Sequence, residues 1–177
     1  MIGNDIVDLA LAQKESNWKR KGFLEKIFTD RERILILNSE YPESMVWNLW
    51  SRKEAVYKIY NRKTKIRAFI PLQLECFQIT KCLGKVICYD TCYYTKTHIS
   101  TKYIRTVAVN KLSDFKRIIF LETRKGISKN KGIPVIDGYN NSISISNHGD
   151  FEEIVMLSKK IYNPNLDLSL RNNKAMV

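Results

Sequence analysis

The stretch Glu43-Ser-Met-Val-Trp-Asn-Leu-Trp-Ser-Arg-Lys-Glu-Ala-Val-Tyr-Lys-Ile-Tyr60 decides the fold. It follows Pro42 and contains neither glycine nor proline. At helical pitch Met45, Val46, Leu49, Trp50, Val56, Tyr57 and Tyr60 fall on one broad face, so a helix over residues 43–60 packed on the core is predicted. Trp47, Ser51, Glu54 and Lys58 form a stripe beside that face. Lys53 projects from its middle, where an ammonium must reach water or find an anion.

Working outward, residues 2–11 mix Ile, Val and Leu with Asp5 and Asp8 and read as a short strand leading into a turn or helix. The two aspartates have opposite parity, so only one faces a site, and Asp8 reads as a turn or N-cap residue. Residues 16–28 carry Trp18, Phe23, Leu24, Ile27 and Phe28 at amphipathic spacing, weakened by Gly22. Thr29-Asp-Arg-Glu32 matches a capping box opening a second helix over 30–38. Residues 69–70, 74–79, 86–94 and 103–109 then read as strands, with Lys81-Cys-Leu-Gly84 as a hairpin turn. Phe115, Ile118, Ile119 and Glu122 recur at helical spacing and predict a helix over 113–124. A basic loop over 125–131, a strand over 142–146, a turn at 147–150 and a last strand over 154–157 follow. The Asn-rich segment 163–177 is weakly patterned and expected to fray. These signals predict an α+β fold, a mixed and mostly antiparallel sheet packed against the long helix. One domain spans 1–162, with an enlarged β-rich middle over about 67–111.

At 177 residues and 44% hydrophobic content the chain has enough apolar material to bury a core, which excludes disorder as its overall state. Thirty Lys and Arg against 18 Asp and Glu give a net charge of +12. That field attracts polyanions: nucleic acid, an anionic membrane, a phosphorylated small molecule or an acidic protein. No apolar run reaches the roughly 18 residues of a membrane span, and the basic and apolar regions of a secretion signal are absent, so a cytoplasmic location is expected. Cys76, Cys82, Cys88 and Cys92 show no C-x-x-C pair, and two histidines give a zinc site poor support. They are expected to be reduced thiols.

Asp5 in an apolar strand and Glu54 on the helix form a pair of carboxylates that could share a divalent cation, with lysines alongside for phosphate charge. The same Glu54 and Lys58 spacing also suits an ordinary surface ion pair. Three segments then stand in order: Gly3-Asn-Asp-Ile-Val-Asp8, Trp50-Ser-Arg-Lys-Glu-Ala-Val-Tyr-Lys58, and Lys131-Gly-Ile-Pro134 leading to Ile143-Ser-Ile-Ser-Asn-His148. Together they resemble the 4′-phosphopantetheinyl transferases, and within them the holo-acyl-carrier-protein synthase branch. The corresponding patterns are G-[I/L]-D-[I/V], [W/F]-x-x-K-E-[A/S]-x-x-K, and G-x-P followed by S-I-S-H.

The resemblance implies transfer of the phosphopantetheine arm of coenzyme A to a serine of an apo acyl or peptidyl carrier protein, leaving 3′,5′-adenosine bisphosphate. Fatty-acid, polyketide and peptide assembly all remain open as the pathway. It implies Asp5 and Glu54 as Mg²⁺ ligands, Lys53 and Lys58 on the coenzyme A phosphates, and Lys131 and His148 as further coenzyme contacts. Glu54 is the first candidate for the base that takes the serine proton, and Lys58 acts beside it. Two departures stand out. Val7 occupies the place where some members carry a second acid. Asn147 occupies the place of the S-I-S-H histidine, with His148 one residue on. The enlarged middle is compatible with a monomer, whereas the short branch of the family forms trimers. Two rival readings stand beside this one: a non-enzymatic basic module binding RNA or DNA without Mg²⁺ or coenzyme A, and a degenerate homologue that binds coenzyme A without turnover.

Overall fold

The computed structural model describes residues 1–130, 132–136 and 142–159. The chain opens with strand β1 (Ile2–Asp8) and three short helices, α1 (Leu9–Glu15), α2 (Phe23–Ile27) and α3 (Asp30–Leu37). The long helix α4 (Pro42–Thr64) follows. Strands β2 (Leu74–Gln78), β3 (Leu83–Cys88), β4 (Thr91–Ile99) and β5 (Tyr103–Val109) come next, then β6 (Ile118–Leu121), β7 (Ile127–Asn130), β8 (Ile133–Ile136), β9 (Ser142–His148) and β10 (Phe151–Leu157). A five-stranded sheet runs β1-β5-β4-β3-β2, a three-stranded sheet β6-β10-β9, and β7 pairs with β8. Every pairing among the described residues is antiparallel. The predicted α+β architecture is the observed one.

The apolar face of α4 lies on one side of the five-stranded sheet. Val46, Leu49, Val56 and Ile59 pack there against Val7, Leu74, Val86, Tyr93, Ile104 and Ala108. Sheet alternation selects those residues, since every second side chain of β3, β4 and β5 turns inward. On the opposite side, Ile2, Val107 and Val109 meet Val155 and Leu157 of the smaller sheet in a second apolar cluster. β1 therefore lies between two layers. Its odd residues face α4 and its even residues face β10.

Two glycines set how close the layers come. A Cβ at Gly3 would stand 2.0 Å from the Ala55 carbonyl oxygen, so strand and helix touch backbone to backbone there. A Cβ at Gly84 would stand 1.6 Å from Arg52 Nη1. The Arg52 guanidinium lies buried across that strand, bonded to Asn48 Oδ1 at 2.9 Å and Thr95 Oγ1 at 3.3 Å.

Local signals hold where a side chain caps a backbone. Asp8 Oδ1 accepts from the N–H groups of Ala10 and Leu11 and starts α1. Thr29 and Glu32 form the full capping box of α3. Other expectations are corrected. Residues 16–28 are not one helix: Gly22 takes φ +80 and only Phe23–Ile27 is helical. The run 86–94 is two strands, because Tyr89 turns the chain at φ +50 without a glycine. Residues 69–70 are not a strand. Residues 113–124 are not an α-helix: Leu112–Arg117 make a 3₁₀ turn, and Ile118–Leu121 pair with β10. Short apolar runs fit either period, and the partner strand decides. The basic loop is largely the hairpin of β7 and β8. The strand beginning at Ser142 continues through His148, and its turn is at Gly149 and Asp150. Segment 163–177 lies outside the described residues.

Gly3→Ala should destabilise the protein by about 1–3 kcal/mol or more through this overpacking, read by urea denaturation.

Candidate active site

The close approach at Gly3 and Ala55 brings Asp5, two residues along β1, to Glu54, one residue back on α4. Asp5 is 8% exposed and Glu54 is half-buried. Both line a cavity of about 240 Å³ with Val7, Ala12, Trp47, Trp50 and His148. Ser146 Oγ donates to Asp5 Oδ1 at 3.1 Å, and Lys58 Nζ stands 3.6 Å from the same oxygen. Among the described residues, Asp5 Oδ2 is buried without a hydrogen-bond partner, and so is the Ser51 hydroxyl that lies against the same carboxylate. Burial raises the Asp5 pKa, with Lys58 and the serines opposing. Glu54 is pushed up to about 7, first by desolvation and then by the charge of Asp5, against the pull of Lys58.

Two carboxylates lining one cavity with an ammonium nearby, and one buried carboxylate oxygen without a hydrogen-bond partner among the described residues, suit a divalent cation. The donor set fits that group: Asp5 through Oδ2, and Glu54. Among the described residues, no cluster of three or more His, Cys, Asp or Glu could hold a metal.

Lys58 donates to the Asn4 carbonyl at 2.7 Å and reaches from the carboxylates into a neighbouring cleft of about 230 Å³. That cleft is basic, with Arg62, Arg124 and Lys129, and is floored by Gly132, Ile133 and Pro134. Arg62, one helical turn beyond Lys58, donates to the Ile2 carbonyl at 3.0 Å, and Arg124 pairs with Glu152. Arg62 and Arg124 were not singled out from sequence, whereas Lys129 lies in the basic loop 125–131. Arg62 continued the stripe of Glu54 and Lys58 and carried the signal for itself. Phe69 was also missed as a site element. Its ring packs edge-on against Trp50 at 5.5 Å and Tyr57 at 5.1 Å, and so covers the flank of α4 that carries Glu54.

Lys53 corrects an expectation. Its side chain is wholly buried on another side of α4, paired with Glu32 Oε2 at 2.7 Å and donating to the Pro71 carbonyl at 2.9 Å. Glu32 also takes the N–H groups of Thr29 and Cys76. The anion that Lys53 meets is the core carboxylate of Glu32. His148 does reach the carboxylate cavity, but its Nδ1 accepts from the Asp8 N–H at 2.9 Å, which leaves only Nε2, 3.7 Å from Glu15, to meet a ligand. Asn147 lines both cavities. Lys131 lies outside the described residues. All four cysteines are free thiols. No helix among the described residues is long and apolar enough to cross a membrane.

The model of the 4′-phosphopantetheinyl transferase superfamily matches residues 1–108. Among solved structures, holo-[acyl-carrier-protein] synthase from Neisseria meningitidis aligns at TM-score 0.52 and 16% identity, covering 62% of this chain and 96% of that one. The Helicobacter pylori holo-[acyl-carrier-protein] synthase in complex with coenzyme A aligns at TM-score 0.50 and 17% identity, covering 63% and 100%. At such identities these likenesses speak to the fold. No curated protein sequence matches the chain.

Two measurements test the electrostatics. The folded chain holds the Glu54 proton up to about pH 7, whereas an ordinary glutamate releases it near 4.5. Metal-free protein therefore has this contribution in full below about pH 4.5 and loses it as pH rises through about 7. Urea denaturation over that range should show the fall, and Glu54→Gln should flatten it. Lys53→Met should cost about 3–5 kcal/mol by leaving Glu32 buried and unpaired, in the same assay.

Proposed function

The chain belongs to the 4′-phosphopantetheinyl transferase superfamily, and on that premise we propose that it moves the 4′-phosphopantetheine arm of coenzyme A onto a serine of an apo acyl or peptidyl carrier protein. The reaction is Mg²⁺-dependent and releases 3′,5′-adenosine bisphosphate. The observation that carries this reading is the pairing of Asp5 and Glu54 in one cavity, with Asp5 Oδ2 bare and Lys58 leading into a basic cleft.

Asp5 and Glu54 would hold the Mg²⁺, which when bound supplies charge neutralisation to the diphosphate. The chain's own residues do the rest. Lys58, Arg62 and Lys129 bind the phosphates of coenzyme A, whose negative charge matches the cleft. Trp47, Trp50 and Val7 give the carboxylate cavity an apolar wall that excludes water beside the reacting atoms. Asn147, placed on both cavities, and His148, through Nε2, face the bound coenzyme. The carrier serine oxygen forms its bond to the phosphorus that bears the arm as the P–O bond within the diphosphate breaks. Glu54, which lines the same cavity as Asp5, takes the serine proton. The bisphosphate leaves with the bridging oxygen.

The net charge of +12 and the exposed Lys14, Lys19, Arg20 and Lys21, on α1 and just after it, favour an acidic carrier and make association salt-sensitive. Phosphate contacts alone, as in a nucleic-acid module, give the paired carboxylates of Asp5 and Glu54 no task.

The test is incubation with coenzyme A, Mg²⁺ and a panel of apo carrier proteins, followed by mass measurement of the carriers. The arm should appear on at least one of them and vanish when Mg²⁺ is chelated. Glu54→Gln should lower turnover at least about 10²-fold in folded protein. Lys129→Ala should raise KM for coenzyme A about tenfold with kcat nearly unchanged. A folded protein that modifies no carrier on the panel counts against catalysis and for a coenzyme-binding homologue.

A further inference from the structure

β9 holds the open edge of β1 with side chains in place of backbone. Ser144 Oγ accepts from the Asn4 N–H at 3.1 Å, Ser146 Oγ from the Ile6 N–H at 3.2 Å, and His148 Nδ1 from the Asp8 N–H at 2.9 Å. Ser144 and Ser146 are both buried, at 1% and 5% exposure, and do the same service for the strand. Among the described residues, Ser146 does something more: its proton goes to Asp5 Oδ1.

A serine hydroxyl has one proton to donate. With Ile6 N–H occupying a lone pair, that proton is directed at one carboxylate oxygen. Lys58 Nζ stands 3.6 Å from the same oxygen. Asp5 Oδ1 is thereby engaged twice, whereas Oδ2 has no hydrogen-bond partner among the described residues, with only the Ser51 hydroxyl against the carboxylate. Rotation of the carboxylate group would exchange the two oxygens, and the Ser146 hydrogen bond opposes it. We propose that Ser146 is a positioning residue that holds the Asp5 carboxylate so that Oδ2 is presented to the divalent cation. The inference rests on the metal-holding role given above to Asp5 and Glu54. Partners that orient a ligating carboxylate typically contribute about 10–100-fold to metal affinity.

Ser144 supplies the control, because Ser144→Ala removes the equivalent support of β1 without touching Asp5. Mn²⁺ serves as the probe, its binding followed by electron paramagnetic resonance of the free ion, with thermal melting in parallel. Both alanine variants should melt lower than the parent. Ser146→Ala should weaken Mn²⁺ binding at least about tenfold, whereas Ser144→Ala should leave it within about twofold. The Mg²⁺ concentration for half-maximal transfer should move in step. If Ser146→Ala shows no folded transition, Ser146→Cys takes the same measurement, since it keeps the size and weakens the donor. Mn²⁺ affinity unchanged in the Ser146 variant overturns the proposal, and so does an equal loss in the Ser144 variant, which would trace the effect to the strand edge. Parent protein that binds no Mn²⁺, or binds it equally after Asp5→Asn and Glu54→Gln, sinks the metal site itself and this role with it.

Discussion

The contact on which the rest of the molecule depends is the backbone approach of β1 to α4 at Gly3 and Ala55. A side chain larger than hydrogen at position 3 would hold the strand off the helix. Asp5 and Glu54 would then separate, and the cavity they share would open to water. The approach has a cost, because it leaves one edge of β1 without a neighbouring strand, and buried N–H and C=O groups left unpaired would each cost about 1–3 kcal/mol. The molecule meets that cost with side chains. Lys58 and Arg62 from α4 take the carbonyls of Asn4 and Ile2, while Ser144, Ser146 and His148 from β9 take the amides of Asn4, Ile6 and Asp8. Lys58 Nζ and Ser146 Oγ therefore bond the strand edge and attend the Asp5 carboxylate with the same atoms.

Charge is sorted on α4 by which way each residue points. Lys53 and Arg52 run into the core, one to a carboxylate and one to two neutral oxygens. Lys58 and Arg62 run along the edge of β1 toward the basic cleft. Removing either partner of the Lys53 and Glu32 pair would strand a charge away from water, so that pair ties α3, α4 and β2 into one unit and keeps the helix in place beneath the site.

This sorting marks the limit of what could be read beforehand. The long helix, the capping box at Thr29 and the cap at Asp8 were legible because each is decided within a few residues. Asp5 and Glu54 were legible as a pair through the family patterns, and Lys58 with them. Lys53 was misread because a buried lysine and a phosphate-binding lysine look alike until the partner is known, and Glu32 lies 21 positions away on another helix. Ile118–Leu121 was misread as helix because the strand it pairs with comes more than thirty residues later. Tyr89 hid a turn because nothing about tyrosine announces a positive φ. The part played by Ser146 was invisible, since it exists only where β9 meets β1.

That meeting has a kinetic consequence. The hydrogen bonds that close the edge of β1 join residues about 140 positions apart, so nearly the whole polypeptide must be looped before they form. The helix can form locally and early, and the hairpins from β2 to β5 need only short loops. Strand β1 gains β5 at intermediate range, yet its far side stays wet until residues 144–148 have emerged and found it. Assembly of the carboxylate centre is therefore among the last events of folding. A chain interrupted before β9 would leave the ribosome with its longest helix formed and its paired carboxylates unsupported.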